Sequence, residues 1–95
     1  MTHKLSGGSN DYYRVYIAPT ETTDGYWAEC QDIIDALDMP FGLGNVFKAC
    51  WRLARGYQGK GKPGNTATYD AEKIVHFGHR EVTRARLWDT LRMKG

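Results

Sequence analysis

Residues 56–65 read GYQGKGKPGN, and four glycines and a proline within ten positions leave no periodic apolar face. No helix or strand can run through this stretch, so the chain must fold as two stretches of regular structure on either side of a basic loop. On its C-terminal side, Thr66 or Thr68 can cap a helix that continues nearly to the end of the chain. Ile74, Phe77, Gly78, Val82, Ala85, Trp88 and Leu91 recur along that helix as an inner stripe. Asp70 and Glu72 near its start and Arg92 and Lys94 near its end match the helix dipole. On the N-terminal side of the loop, Leu43, Val46, Phe47, Cys50 and Leu53 or Ala54 define a second helix, with Gly56 as its stop.

An earlier, shorter helix is expected from Asp24 as N-cap. Tyr26 or Trp27, Cys30, Ile33, Ile34 and Leu37 point inward there, and Glu29, Asp32, Asp35 and Asp38 form an acidic outer face. Residues 39–42 (MPFG) end it. Residues 12–17 (YYRVYI) are aromatic and β-branched and alternate, which favours an extended strand. No second strand is evident. The segment therefore packs as an arm on the helices or pairs with another copy of the chain, which makes a homo-oligomer the expected state. The predicted fold is mainly α: about three helices with an N-terminal extended arm or single β-strand. Residues 1–10 are read as a flexible tail, and residues 11–95 as one helical domain whose arm spans 11–18.

A chain of 95 residues buries only about two-thirds of its unfolded surface, so large side chains must close the core. Three tryptophans and a 41% hydrophobic content meet that need and exclude global disorder. No run approaches the length of a membrane span, and residues 1–10 lack the apolar stretch of a secretion signal, so a cytoplasmic location is expected. Cys30 and Cys50 fall among apolar neighbours at helical spacing and read as small core residues rather than a disulfide or a catalytic thiol.

Charge is divided along the chain. Residues 1–40 hold two basic and seven acidic side chains, a net of −5, whereas residues 41–95 hold eleven basic and four acidic, a net of +7. Either the halves attract each other, within the fold or across a dimer, or the basic half meets phosphate, nucleic acid or an acidic protein. Within it Asn45, Lys48, Arg52 and Arg55 share a face of the second helix, and Lys73, His76, Arg80 and Arg84 repeat the device on the third. Guanidinium forks and ammonium groups are the side chains that bind phosphate, and an asparagine amide can orient a base or ribose. Lys60 and Lys62 in the connecting loop would close over such a ligand, and Tyr57 and Tyr69 beside it could stack on a base.

Other chemistries find less support. Gly56, Gly61 and Lys62 approach the G-x-x-x-x-G-K-[ST] pattern, but Pro63 replaces the hydroxyl residue and the loop leaves a helix rather than a strand. Glu72, His76 and His79 have metal-compatible spacing, yet read as surface residues of a basic helix, so no metal is expected. No nucleophile motif is present, and Glu29, Asp32 and Asp35 read as a solvated face rather than an acid and base pair.

The residues Glu29, Cys30, Gln31, Asp32, Ile33 and Ile34, then Gly44, Asn45, Val46, Phe47 and Lys48, then Trp51 and Arg52 carry a resemblance. They resemble the E-x-x-D-I-I, G-N-x-x-K and arginine core of a family of small tailed-phage domains of unknown function. Residues 69–73 (YDAEK) look like the start of that family's last helix, so the resemblance spans from Tyr26 to about Val82. The family includes part of a phage nucleoside monophosphate kinase that lacks a Walker motif. The resemblance implies a phage origin, the cytoplasm of a bacterial host, and a nucleotide or phosphate site at Gly44, Asn45, Lys48 and Arg52, with Asp32 and Lys73 as additions. Ala49 departs from the aromatic residue that often follows the family's lysine, and Tyr12 and Tyr13 stand where its early His-Tyr usually lies.

The expected function is therefore a phage accessory protein binding a nucleotide or other phosphorylated small molecule on a basic face of helices two and three, through Asn45, Lys48, Arg52, Arg55, Lys60, Lys62, Lys73 and Arg80. The alternatives are a host-directed inhibitor of a bacterial enzyme or immune system, nucleic-acid binding, and nucleoside monophosphate kinase activity. Binding without turnover is favoured, with no cofactor, because only a phosphotransferase would need magnesium and no set of groups to hold it is evident.

Overall fold

A computed structural model describes residues 8–94. Gly8–Tyr13 is a 3-10 helix, followed by strands β1 (Arg14–Ile17) and β2 (Tyr26–Glu29) and helices α1 (Cys30–Ala36), α2 (Phe41–Tyr57) and α3 (Ala67–Lys94). The fold is mainly α, as the sequence predicts. Of the tail expected over residues 1–10, residues 1–7 lie outside the described residues, and the last three belong to the 3-10 helix.

The extended segment finds its partner within the chain. β1 and β2 form an antiparallel hairpin in the register Arg14 to Glu29, Val15 to Ala28, Tyr16 to Trp27 and Ile17 to Tyr26. Tyr26 and Trp27 are thus not the first turn of a helix, and Asp24 is not its cap. Both are aromatic residues that fit a pleated surface, and pairing satisfies backbone groups that a lone arm would leave open. Tyr16 and Trp27, directly opposite, bring their rings to 5.4 Å, and the Arg14 guanidinium lies 4.6 Å from the Trp27 ring. In the connection, Thr20 Oγ1 accepts from the N–H groups of Thr22 and Thr23. A Cβ at Gly25 would meet the outer end of the exposed Tyr16 side chain, which would have to swing aside.

α1 closes with a Schellman motif. Asp38 adopts φ 51°, its N–H donates to the Asp35 carbonyl, and the Met39 N–H donates to the Ile34 carbonyl at 3.0 Å. Pro40 then caps α2, so Phe41 and Gly42 begin the next helix rather than merely breaking the last one. α2 is the central element. Gly44 faces Ile34 of α1, while Ala49 is fully buried and Cys30 nearly so. Trp51 Nε1 donates to the Tyr12 carbonyl at 2.9 Å, which fastens the 3-10 helix to α2.

α2 does not stop at Gly56. It runs to Tyr57 and closes at Gly59, whose φ of 75° allows Lys60 N–H to reach the Arg55 carbonyl and Gly59 N–H the Gly56 carbonyl. α3 returns antiparallel to it. Phe41 meets Phe77 edge to face at 5.9 Å, Glu81 lies over Gly42, and at the other end Arg52 meets Asp70. Cys50 does not join the core: it is exposed, because the inward sides of α2 carry Gly42, Ala49 and Arg52 and, opposite them, Gly44 against α1.

Candidate functional site

Arg52 is the buried centre of a polar cluster that joins three parts of the chain. Its Nε donates to Asp70 Oδ1 at 2.9 Å, its Nη2 stands 2.9 Å from the same oxygen, and its Nη1 donates to the Tyr13 hydroxyl at 3.0 Å. Asn65 Nδ2 donates to Asp70 Oδ2, so both carboxylate oxygens are engaged. Burial by itself would loosen the guanidinium proton. The hydrogen bonds to Tyr13 and Asp70 outweigh it and raise the Arg52 pKa above its ordinary value. With 8% exposure for Arg52 and 1% for Asp70, the cluster holds α2, α3 and the end of the 3-10 helix together. Arg52 therefore does not present its guanidinium from an open cationic stripe.

The other expected ligand residues of the helices are separated. Asn45 donates to the Phe41 carbonyl of its own helix at 2.7 Å. The Lys48 ammonium stands 5.5 Å from the Tyr13 ring, and Lys73 stands 5.4 Å from the ring of Tyr69. Arg55 Nη1 donates to Gln58, while its Nε is buried with no partner among the described residues. Arg80 is exposed farther along α3. Asn45, Lys48, Arg52 and Arg55 thus differ in partners and exposure despite their helical spacing, because the 3-10 helix, α1 and α3 pack on different parts of α2.

Lys62 meets a formed surface, and the exposed Lys60 lies on the same loop. The loop folds back on the last turn of α2, with Gly61 so close to Gly56 that a Cβ there would stand 2.8 Å from the Gly56 Cα. Residues 62–65 then turn sharply: Asn65 N–H donates to the Lys62 carbonyl at 3.1 Å, Pro63 takes the second position and Gly64, at φ 79°, the third, as in a type II turn. Thr66 caps α3 by accepting from the Tyr69 N–H at 3.0 Å. Ala67 and Thr68, in the first turn, have no intrahelical acceptor for their N–H groups.

These features enclose a cleft of about 130 Å³ between the loop and the helix ends, with Gly56, Gly61, Lys62, Asn65 and Thr66 on its rim and Arg52 and Asp70 at its base. It adjoins an open depression of about 380 Å³ over residues 62–66 and Tyr69. Tyr57 and Tyr69 are both largely exposed at this end of the molecule. The inner space fits a phosphate group but not a whole nucleotide, whose remainder would lie in the outer depression. Asp70 does not dominate the electrostatics, since its charge is held by Arg52. The positive end of a 28-residue helix and the Lys62 ammonium favour an anion.

Asn65, Thr66, Asp70 and Tyr13 are not legible as site residues in the sequence. Asn65 and Thr66 lie at a loop exit with no periodicity to mark them, and the Arg52 partners are 18 and 39 positions away. Among the described residues, no three His, Cys, Asp or Glu side chains converge as a metal site; His76 instead packs edge to face on Phe77. Among the described residues, no helix is long and apolar enough to cross a membrane. No family model, curated protein or solved structure matches the chain.

Proposed function

We propose that this chain binds a nucleotide or another phosphorylated small molecule at the end of the α2–α3 pair, with a phosphate in the inner cleft and the rest of the ligand across Tyr69. The observation that carries this reading is the convergence of Lys62, the open first turn of α3 and the close Gly56–Gly61 backbone on a phosphate-sized space. Backbone that approaches without side chains, a helix N-terminus and a flexible ammonium are the elements by which proteins cradle phosphate. An exposed tyrosine face beside it supplies a stacking surface that tolerates any base. The phage accessory role rests on the likeness of Gly44, Asn45, Lys48 and Arg52 to the phage domains; of these four residues, Arg52 lines the cleft, at its base. In this arrangement Arg52 supports the floor of the cleft through Asp70 and Asn65, and Lys60 lies on the loop above it.

Titration calorimetry with nucleoside mono-, di- and triphosphates and cyclic dinucleotides tests the proposal. Heat with one class, lost in Lys62→Ala and retained in Lys48→Ala, is the expected result. Loss in Lys48→Ala alone would move the site to the side of α2, and no heat with any of the compounds would remove the reading. Binding only to long nucleic acid, weakening steeply with salt, would replace it with a non-specific polyanion surface.

A further inference from the structure

The last thirteen described residues of α3, 82–94, run beyond the end of its partner. α2 begins at Phe41, level with Phe77 and Glu81, and every residue from Val82 to Met93 is exposed. At 1.5 Å per residue the overhang is about 20 Å long. It nevertheless continues the apolar stripe of the packed half: Trp88 is 59% exposed, and Leu87, Leu91 and Met93 are at least as open. A free helix of this length is marginal in water and is ordinarily held by packing of its apolar face.

We propose that this overhang is the self-association surface of the protein, pairing antiparallel with the overhang of a second copy and seating its tip on that copy's acidic shoulder. The midpoint of residues 82–94 is Trp88, so an antiparallel pair places the two Trp88 side chains together at the two-fold axis. Such an arrangement is isologous and closed. It also brings Leu91, Arg92 and Met93 of one copy opposite Ala85, Arg84 and Thr83 of the other, where Arg84 is bridged by Glu81 at 3.5 Å, and points the tip toward the place where Glu81 covers Gly42. The shoulder at that point consists of α1 and its junction with α2, where Leu37 and Phe41 are 65% and 79% exposed and Asp32, in the first turn of α1, Asp35 and Asp38 are open to solvent.

Charge selects this occupant. The overhang carries Arg84, Arg86, Arg92 and Lys94 against Asp89, a net of +3, and the three shoulder aspartates carry −3. Two overhangs alone would repel each other; the shoulders offset that repulsion and fix the direction of pairing. The division of charge between the halves of the chain is thereby used between copies, and the interface lies apart from the loop cleft.

Sedimentation equilibrium of the full chain tests the proposal. The expected species has twice the chain mass. Trp88→Ala should weaken association by about thirty-fold or more while leaving the circular dichroism of the fold unchanged, since in one copy the ring is 59% exposed and its cation contact, the Arg92 guanidinium at 5.5 Å, lies on the same helix. Asp35→Lys should weaken it as well, and adding Arg92→Glu should restore it. A monomer at all concentrations overturns the proposal, as does a dimer indifferent to Trp88→Ala. A dimer sensitive to Trp88→Ala but indifferent to the Asp35 and Arg92 exchange overturns the shoulder contact.

Discussion

Arg52 and Asp70, eighteen residues apart, share two contacts of 2.9 Å between α2 and α3, with almost no access to solvent. Removing one partner leaves an uncompensated buried charge. Arg52→Ala or Asp70→Ala should therefore lower unfolding free energy by about 3–5 kcal/mol, a large part of the stability of a small domain. Replacing both by apolar residues of similar volume should cost less than either single change. Urea denaturation of the three variants measures the coupling directly.

Cys30 and Cys50 should differ in reactivity. Cys30 is 2% exposed and burial pushes its thiol up to about 11, an effect that nearby Lys48 and Arg52 only partly oppose; Cys50 is exposed. Near pH 8 a thiol reagent should titrate one cysteine in the native protein and two in denaturant. Because the folded pKa lies above the unfolded value of 9.0, the folded state holds this proton more tightly. Its contribution to stability is complete below pH 9 and is lost as the pH rises toward about 11. In Cys30→Ala that part of the alkaline slope should disappear.

Asp38 holds a left-handed conformation at the end of α1, with φ 51°. Glycine adopts it without the steric cost of a Cβ and retains both backbone hydrogen bonds of the motif. Asp38→Gly should raise stability by about 0.5–1 kcal/mol, seen as a melting temperature several degrees higher.

Gly61 rests on the backbone of Gly56, and an alanine Cβ would come within 2.8 Å of the Gly56 Cα. Neither backbone can yield without lifting the loop. Gly61→Ala should cost about 1–3 kcal/mol and weaken phosphate-ligand binding, whereas a Cβ at Gly56 meets no protein atom within 4 Å, so Gly56→Ala should leave the melting temperature nearly unchanged. Calorimetry and thermal melting of the two variants separate the outcomes.

The mainly α class, a break between the second and third helices and a cap at Thr66 or Thr68 are legible in the residues alone, because helix periodicity, glycine and capping chemistry act within a few residues; the fold puts the end of α2 at Tyr57 and the cap at Thr66. Tertiary structure decided what each face became. Residues 26–29 have an aromatic pattern compatible with either a helix start or a strand, and pairing with β1 selected the strand. Arg52 shares its spacing with Asn45, Lys48 and Arg55, and nothing local distinguishes it. Only the approach of Tyr13 and Asp70 from distant parts of the chain turns a surface cation into a buried one. The same packing exposes Cys50, whose apolar neighbours suggested burial, and leaves residues 82–93 open although their stripe matches that of the buried half. Periodicity defines an apolar face, but the length of the neighbouring helix determines how much of that face is covered.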